Sequence, residues 1–284
     1  MTSNSDHMPK QAKALLAGSG KVDVYNATGA PVTAQFATYN LSLIPSIPSG
    51  SVVHDNACGD GTVSRLILSS SSSPTDIKIH ATDIDQVFLD ALSSSLTDNS
   101  WPVDVSNQKL ESLSFPDDYF THSICNIGII FASSGGLDGA KEIYRTLQPG
   151  GTAIVNCWQH ITWLPPFMRA AMSTRPGPPP PLPPVSWADG IQLQSIMKGA
   201  GFEESKIRVE TSEAWAKTSD LRAWAEKSWA FLGGIPRGWK EGDEERWEEA
   251  VRVFVEGLEA AEGTKRVDGE VWMRASQWVV VAVK

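Results

Sequence analysis

The residues from His54 to Ser64, HDNACGDGTVS, bring glycines, acids and small side chains together in one short stretch. Gly59 and Gly61 allow the backbone to adopt positive φ angles and to pass close to a ligand. A turn of this kind, between an apolar run and a helical pattern, is typical of a site for a nucleotide-like ligand. The stretch contains acids but no lysine or arginine, which disfavours a pyrophosphate and favours a ligand that carries a sulfonium and an ammonium.

Two familiar phosphate-binding patterns do not fit these residues. The Gly-Lys-Ser/Thr of a Walker loop is missing, and the dinucleotide pattern G-x-G-x-x-G fails at its third glycine, where Ser64 stands. Asp83 ends the next apolar run and is placed to accept hydrogen bonds from both hydroxyls of a ribose. A nicotinamide-dependent oxidoreductase remains an alternative function, which Ser64 disfavours.

Short apolar runs predict the strands that would position this turn. They are separated by enough chain for crossover helices, so we expect an α/β fold with a mainly parallel sheet and a Rossmann-like ligand edge. The predicted strands are 51–54, 77–81, 123–127, 152–156 and 278–283, and the predicted helices are 86–92, 137–147, 188–199, 221–232 and 244–261.

Composition bounds the partners that the chain can have. The 284 residues are 41% hydrophobic and 20% charged, with a formal net charge of -9. This charge argues against nucleic acid or an anionic membrane and favours a small-molecule partner, and no run approaches the roughly 18 apolar residues of a membrane span. Cys58, Cys125 and Cys157 are odd in number and lack C-x-x-C spacing, so we expect no disulfide, no metal site and a reducing, cytoplasmic compartment. The oligomeric state is left open.

The second half of the chain differs in composition from the first. Of the eleven tryptophans, only Trp101 precedes residue 158. Residues 175–184, RPGPPPPLPP, must be irregular or polyproline-like, and their P-x-x-P spacing leaves a protein-interaction module open as an alternative function. We expect an amino-terminal helical lid segment at 1–44, a ligand-binding core at 45–160, and a substrate cap with the final strands of the same domain at 161–284.

Three ordered motifs resemble those of the class I S-adenosylmethionine-dependent methyltransferases. Residues 55–61 are similar to the family's first motif, with Ala57 in place of its first glycine. Residues 113–120, LSFPDDYF, are similar to the segment before the family's fourth strand, and 147–151, LQPGG, to the turn before its fifth. The resemblance implies a Rossmann-like, mainly parallel seven-stranded sheet with helices on both faces, an inserted helical and Pro-rich cap, and S-adenosylmethionine as the cofactor.

Within this family, the amino-acid sequences of the first and second motifs resemble those of the fungal secondary-metabolism methyltransferases, including the thiol-methylating enzymes of gliotoxin-type pathways. The resemblance implies methyl transfer to a small aromatic or heterocyclic acceptor, with S-methylation favoured over N- or O-methylation. A sulfonium supplies its own leaving group, so the protein has mainly to align the nucleophile, the methyl carbon and the sulfur.

The resemblance also assigns roles at the cofactor. The loop 55–61 would hold the methionyl part, Asp83 would bind the ribose and Ile84 would pack on the adenine. Lys109 stands where many relatives carry an Asp that contacts the adenine amino group. The implied cofactor-binding residues are Tyr25, Asp55, Ala57, Cys58, Gly59, Gly61, Asp83, Ile84, Leu110, Glu111 and Asn126.

On the acceptor side, His160 follows the fourth predicted strand, the fifth of the family's sheet, where acceptors lie in this fold. It is the candidate general base for an oxygen or nitrogen nucleophile, and the alternative is a loop histidine without catalytic duty. Aromatic walls would suit an aromatic acceptor, although such residues are also common in protein cores. The candidate substrate-binding residues are Trp158, Trp163, Phe167 and Met168.

Overall fold

The structure is a computed structural model that describes residues 7–70, 76–99, 101–175, 177, 186–235 and 238–284. Most of the Pro-rich segment 175–184 lies outside these residues, and so do its two predicted roles, as part of the cap or as a protein-interaction module. The strands are β1 (Val52–Asn56), β2 (Lys78–Asp83), β3 (Val103–Asn107), β4 (Phe120–Cys125), β5 (Leu147–Ile161), β6 (Ile207–Thr218), β7 (Thr264–Val267) and β8 (Glu270–Val283). The α-helices are α1 (Lys10–Leu16), α2 (Gly20–Thr28), α3 (Ala30–Ser42), α4 (Thr62–Leu68), α5 (Gln86–Asn99), α6 (Leu137–Thr146), α7 (Leu164–Thr174), α8 (Ile191–Ala200), α9 (Leu221–Leu232) and α10 (Trp247–Glu259). Short 3-10 helices span Gly128–Phe131, Ser134–Gly136 and Glu204–Lys206.

The strands form one sheet in the order β3-β2-β1-β4-β5-β8-β6, and β7 pairs with β8. The pairs β1–β2, β1–β4, β2–β3 and β4–β5 are parallel, whereas β7 runs antiparallel to β8. In register, Asp55 of β1 lies between Ala81 of β2 and Ile124 of β4. The carboxyl ends of these strands therefore meet at one edge, and the prediction of a Rossmann-like, mainly parallel α/β fold is confirmed. The described sheet has eight strands rather than the expected seven, because the short β7 adds to β8 beside the seven-strand order.

The chain divides into two compact units. The unit that we call the sheet unit comprises Thr33–Gln159, Pro184–Glu213 and Ser276–Lys284, and the unit that we call the helical unit comprises Met1–Val32, His160–Pro183 and Ala214–Ala275. β5, β6 and β8 contribute residues to both units. The division of the sequence at residues 45 and 161 stays a prediction.

Helices cover both faces of the sheet unit. On one face Val53, Ile79 and Ile154 pack with Ala37 of α3 and Ile67 of α4. On the other face the strands pack against α6 and α8, through a buried cluster that includes Cys125, Val155, Val280, Ile143 and Met197. Such layering follows from strands that are apolar on both faces, as expected for a parallel sheet.

The helical unit is built around tryptophan. Asp220 caps α9 by accepting a hydrogen bond from the backbone N–H of Ala223 (2.9 Å), as the sequence predicts. α10 packs against α7 and α9, and its buried residues recur on one face, which confirms the predicted amphipathic helix. None of the described helices is long and apolar enough to cross a bilayer.

Candidate functional site

The loop between β1 and α4 has the backbone that its sequence predicts. Ala57, Gly59 and Gly61 all have positive φ, at 55°, 54° and 86°. The N–H of Cys58 donates to the carbonyl of Thr82 (2.9 Å), which ties the loop to β2. Burial raises the pKa of the Cys58 thiol well above its usual range, so this cysteine stays protonated near neutrality and serves as packing.

The two glycines of the loop face different surroundings. A Cβ added at Gly61 would overlap the side chain of Leu92 on α5, so Gly61 is required for packing. A Cβ added at Gly59 would meet no protein atom within 4 Å. Gly59 therefore borders open space at the edge where β1 and β2 end, and this is the space that the sequence assigns to a ligand.

The structure brings Asp83 to this loop. One carboxylate oxygen, Oδ2, accepts a hydrogen bond from the N–H of Gly59 (2.8 Å), and Oδ1 accepts one from the N–H of Asp85 (2.9 Å). A carboxylate has about four acceptor positions, so each oxygen keeps a lone pair for a ligand hydroxyl. Asp83 can thus hold the loop and bind a diol at the same time.

Asp55 holds the start of α4. Its side chain is buried, and its Oδ2 accepts hydrogen bonds from both the N–H (2.9 Å) and the hydroxyl (2.7 Å) of Ser64. Burial raises the pKa of Asp55 to about 7, with smaller upward contributions from Asp83 and Asp60, while the bonds from Ser64 oppose the rise. The described hydrogen bonds of Asp55 thus go to the helix, and its role at the methionyl end of a ligand stays a prediction.

We expect Asp55→Asn to remove a pH dependence of stability. The folded-state pKa of about 7 lies above the ordinary 3.8, so the contribution of Asp55 to stability is fully present below pH 4 and is lost as the pH rises through 7. Three pH units correspond to roughly 4 kcal/mol at 1.4 kcal/mol per unit. Asparagine keeps an uncharged oxygen for Ser64 and cannot ionise.

Urea unfolding of both proteins at pH 5, 6, 7 and 8 measures this effect. The difference in unfolding free energy, variant minus wild type, should grow with pH, and all other titrating groups cancel in it. A difference that is constant across this range would show that Asp55 does not ionise near neutrality in the native state.

A second backbone feature lies at the end of β4. Ile127 has φ 68° and ψ -16°, a left-handed conformation that is strained for a β-branched residue. Its N–H donates to Oδ1 of Asn156 (2.7 Å), and Nδ2 of Asn156 donates to Oδ1 of Asn126 (2.9 Å). Asn126, a predicted cofactor-binding residue, also donates to the carbonyl of Thr33 (3.0 Å). The sequence did not single out Ile127 or Asn156.

The turn after β4 touches the glycine loop. Gly128 has no room for a side chain, because the Cβ of Ala57 and the sulfur of Cys125 lie against it. The 3-10 helix Gly128–Phe131 that begins there ends in a phenylalanine side chain that is 78% exposed. Ile84, just after Asp83, is 64% exposed. Two large apolar side chains thus stand uncovered in the segments that directly follow β2 and β4.

The predicted cofactor-binding residues Leu110 and Glu111 follow β3. The N–H of Gln108 donates to the carbonyl of Asp83 (3.0 Å), and the amide of Asn107 donates to the carbonyl of Ile84 (3.0 Å). The segment 108–111 is thereby tied to the same edge. Within it Glu111 is half-buried, and Leu110 is buried in the apolar cluster beside α6.

Three further predicted residues have described contacts within their own units. Tyr25, in the helical unit, stacks on Phe231 of α9, with ring centroids 6.0 Å apart. In the sheet unit, Trp158 packs edge-on against Phe36 (5.5 Å). His160, in the helical unit, lies within β5 and not after it as predicted, because β5 extends beyond the predicted strand 152–156, and its Nε2 is 3.2 Å from the hydroxyl of Thr162.

The remaining acceptor candidates lie on or next to α7. Trp163 and Phe167 are buried, in contact with Trp224 and with Trp229 respectively, whereas Met168 is half-buried. Their part in acceptor binding stays a prediction. Among the described residues, no group of three or more His, Cys, Asp or Glu side chains is arranged to hold a metal ion.

Comparison with known proteins identifies the domain. Residues 53–151, which run from β1 into β5 and include the loop, Asp83 and Asn126, match the family model described as a methyltransferase domain. Over these residues the chain is therefore similar to a methyltransferase domain, in keeping with its resemblance to the class I S-adenosylmethionine-dependent methyltransferases. S-adenosylmethionine is the methyl donor of this family, and the motifs that the sequence analysis identified are those of the matched region.

Two fungal proteins are similar to this chain in sequence. The chain is 32% identical over 168 residues to the acetylaranotin bis-thiomethyltransferase of Aspergillus terreus, a match that covers 56% of this chain and 52% of the relative. It is 22% identical over 169 residues to the methyltransferase tpcH of Aspergillus fumigatus, covering 57% of this chain and 56% of that protein. The matches thus span little more than half the length of these relatives.

Among solved structures, the fold is similar to that of phospholethanolamine N-methyltransferase 2 of Haemonchus contortus. The TM-score is 0.58 at 17% identity, and the match covers 100% of this chain and 60% of that one. This likeness supports the fold assignment alone.

Proposed function

We propose that the protein transfers the methyl group of S-adenosylmethionine to a small acceptor, with a thiol as the favoured nucleophile. The observation that carries the proposal is the open space at Gly59, bordered by the carboxylate of Asp83, within a matched methyltransferase domain. When bound, the cofactor supplies an electrophilic methyl group and a neutral leaving group. The protein's task is then alignment rather than acid or base chemistry.

The residues around the loop fit such a cofactor. Gly59 lets the loop approach it closely, and Asp83 accepts from the two ribose hydroxyls with its free lone pairs. Ile84, which is 64% exposed, covers one face of the adenine, an apolar contact that its exposure leaves available. Asn126 and the backbone at Ile127, which follow β4, would hold the methionyl end.

We expect Asp83→Ala to weaken S-adenosylmethionine binding by about 2 to 3 kcal/mol, because charge-assisted hydrogen bonds to two hydroxyls are lost. Calorimetric titration of the folded variant measures the change. Asp85→Ala is the matched control, since it removes the same charge two residues away without a bond to Gly59. Equal affinities of Asp83→Ala and the wild type would remove Asp83 from the site.

The preference for sulfur rests on two observations. The relative from Aspergillus terreus, at 32% identity, is named a bis-thiomethyltransferase. A thiol has a pKa of about 8.5 and is partly ionised near neutrality, whereas a phenol at about 10 or an alcohol needs a base. A thiol acceptor therefore makes His160 dispensable. Phe131, which is 78% exposed beside the loop, offers an aromatic acceptor a ring to stack on.

A matched set of acceptors tests the proposal. Benzyl thiol, benzylamine and benzyl alcohol differ only in the nucleophilic atom, and methyl-labelled S-adenosylmethionine reports transfer to each. We expect the thiol to be methylated fastest and His160→Ala to change its kcat/KM by less than 3-fold. Faster transfer to the amine or alcohol, with a 100-fold loss in His160→Ala, would overturn the choice of sulfur and make His160 the base.

Cofactor titration separates failure of the acceptor choice from failure of the activity. S-adenosylmethionine should bind to the purified chain, and NADH should not. Binding of NADH in place of S-adenosylmethionine would overturn the methyl-transfer proposal as a whole.

A further inference from the structure

The turn after β4 is held by a network of buried amides. Nδ2 of Asn156 donates to Oε1 of Gln277 as well as to Asn126, and Nε2 of Gln277 donates to Oδ1 of Asn40 (2.8 Å) and to the hydroxyl of Ser212 (2.7 Å). Asn40, Asn156 and Gln277 are each fully buried. The network therefore runs from α3 through β8 and β5 to the end of β4, entirely within the sheet unit.

The network fixes the orientation of the Asn156 amide. Both hydrogens of Nδ2 are used by acceptors, so Oδ1 must face the N–H of Ile127, which it accepts at 2.7 Å. A buried amide with every group satisfied adopts one arrangement, because any flip would leave donors facing donors. Asn156 thus presents a single acceptor at a fixed point.

That acceptor meets the strained residue of the turn. Ile127 has φ 68°, which a β-branched residue rarely adopts unless its surroundings impose it. The next residue, Gly128, lies against Ala57 of the glycine loop. The bond to Asn156 therefore ties the strained residue to β5 at the point where the chain meets the glycine loop.

We propose that Asn156 is a positioning residue for the cofactor site, which holds Ile127 in its left-handed conformation and thereby sets the turn Ile127–Gly128 against the glycine loop. It does so without touching the ligand. The inference rests on the proposed function, since the site that it positions is the one assigned to S-adenosylmethionine. No other residue supplies a described hydrogen bond to the N–H of Ile127.

Binding of S-adenosylhomocysteine, measured by calorimetry, tests this role in Asn156→Leu. We expect its Kd to rise at least 10-fold. Asn40→Leu is the matched control, because it makes the same substitution at a fully buried member of the same network and leaves the Asn156–Ile127 bond intact. Its Kd should stay within 3-fold of the wild type, even though both variants lower the melting temperature.

The double variant Asn156→Leu/Ile127→Gly gives the decisive readout. Glycine adopts φ 68° without strain, so the turn no longer needs Asn156, and we expect affinity to return to within 3-fold of the wild type. If Asn156 only contributed to the stability of the fold, loss of the buried Ile127 side chain would lower that stability further, and the affinity for the ligand would not recover. Should Asn156→Leu fail to fold, Asn156→Ser, too short to reach Ile127, takes its place in the same comparison.

The outcomes separate this inference from the proposed function. A wild-type protein that does not bind the ligand contradicts the proposed function. A wild type that binds, with Asn156→Leu and Asn40→Leu equal in affinity or with no recovery in the double variant, overturns the positioning role alone.

Discussion

Gly59→Val is expected to abolish measurable S-adenosylmethionine binding in a protein that stays folded. A Cβ at this position meets no protein atom within 4 Å, so the added side chain enters the open space and not the protein core. The backbone, at φ 54°, gains strain of about 1 to 2 kcal/mol, which a domain of this size tolerates. The ligand, in contrast, loses the close approach that the glycine provides.

Gly50→Val is the control for the backbone strain. Gly50 also has positive φ, at 74°, and an added Cβ there also meets nothing within 4 Å, but it lies before β1, at the opposite end of that strand. Both variants should lose similar amounts of stability, and only Gly59→Val should lose more than 100-fold in affinity, as measured by calorimetric titration. Retained binding in a folded Gly59→Val protein would place the ligand elsewhere.

Gly61→Val should behave differently from both. Its Cβ would overlap Leu92, so the substitution disturbs the packing of α5 before it affects any ligand. The sequence motif treats the two glycines of the loop alike. Only the surroundings in the folded protein distinguish Gly59, which borders open space, from Gly61, which makes room for a leucine.

The part of the site that sequence could predict is the part whose chemistry is local. Glycines and an alanine at alternating positions predict a loop with positive φ. The spacing of the strands predicts that the acid at the end of the next strand lies beside that loop. Asp83 and Gly59 are accordingly found in direct contact (2.8 Å). Their functional roles stay predictions, but their meeting in space is now an observation.

The amide network could not be predicted in this way. Asn156 stands inside an apolar strand, TAIVNCW, and Gln277 lies 121 residues further along the chain. The residues around Asn156 and Gln277 in the sequence do not reveal that the two side chains are partners. Their hydrogen bond depends on β5 and β8 being adjacent in the sheet. A polar residue at the end of the predicted strand 152–156 was the available indication, and it does not distinguish a buried network from a local hydrogen bond.

The limits of the predicted strands have a similar origin. The run 278–283 is continuously apolar, whereas β8 begins at Glu270, because its first residues pair with β7 and alternate between buried and partly exposed. β6, at the edge of the sheet, carries mostly exposed or half-buried residues and gives no apolar run. Strands that are buried on both faces can be predicted from continuous apolar runs, whereas strands with a solvent-exposed face or edge lack such runs.

The helical unit depends on a contact that involves no ligand at all. Arg175 donates to both oxygens of Asp243, with Nε to Oδ1 at 2.8 Å and a terminal nitrogen to Oδ2 at 2.9 Å, and also to the carbonyl of Gly233 (2.8 Å). Its guanidinium carbon lies 5.1 Å from the ring centre of Trp229 and 5.3 Å from that of Trp239. The Arg175 and Asp243 side chains are 5% and 2% exposed, so water cannot replace either partner.

Arg175→Ala should lower the free energy of unfolding by about 3 to 5 kcal/mol, because it leaves a buried carboxylate without its cation. Arg252→Ala is the contrast within the same unit. Arg252 and Glu256 are 2.7 Å apart, but both side chains are 59% exposed, so the loss should stay below about 1 kcal/mol. Urea unfolding followed by tryptophan fluorescence measures both changes.

The double variant Arg175→Met/Asp243→Leu decides what the ion pair contributes. If the loss in Arg175→Ala comes from an unpaired buried charge, removing both charges should restore most of the stability, since apolar replacements of buried pairs are often neutral. If the loss comes instead from the cation–π contacts of the guanidinium with Trp229 and Trp239, the double variant should be no more stable than Arg175→Ala. A loss below 1 kcal/mol in Arg175→Ala would contradict both explanations, because a charge so deeply buried cannot be left unpaired at so small a cost.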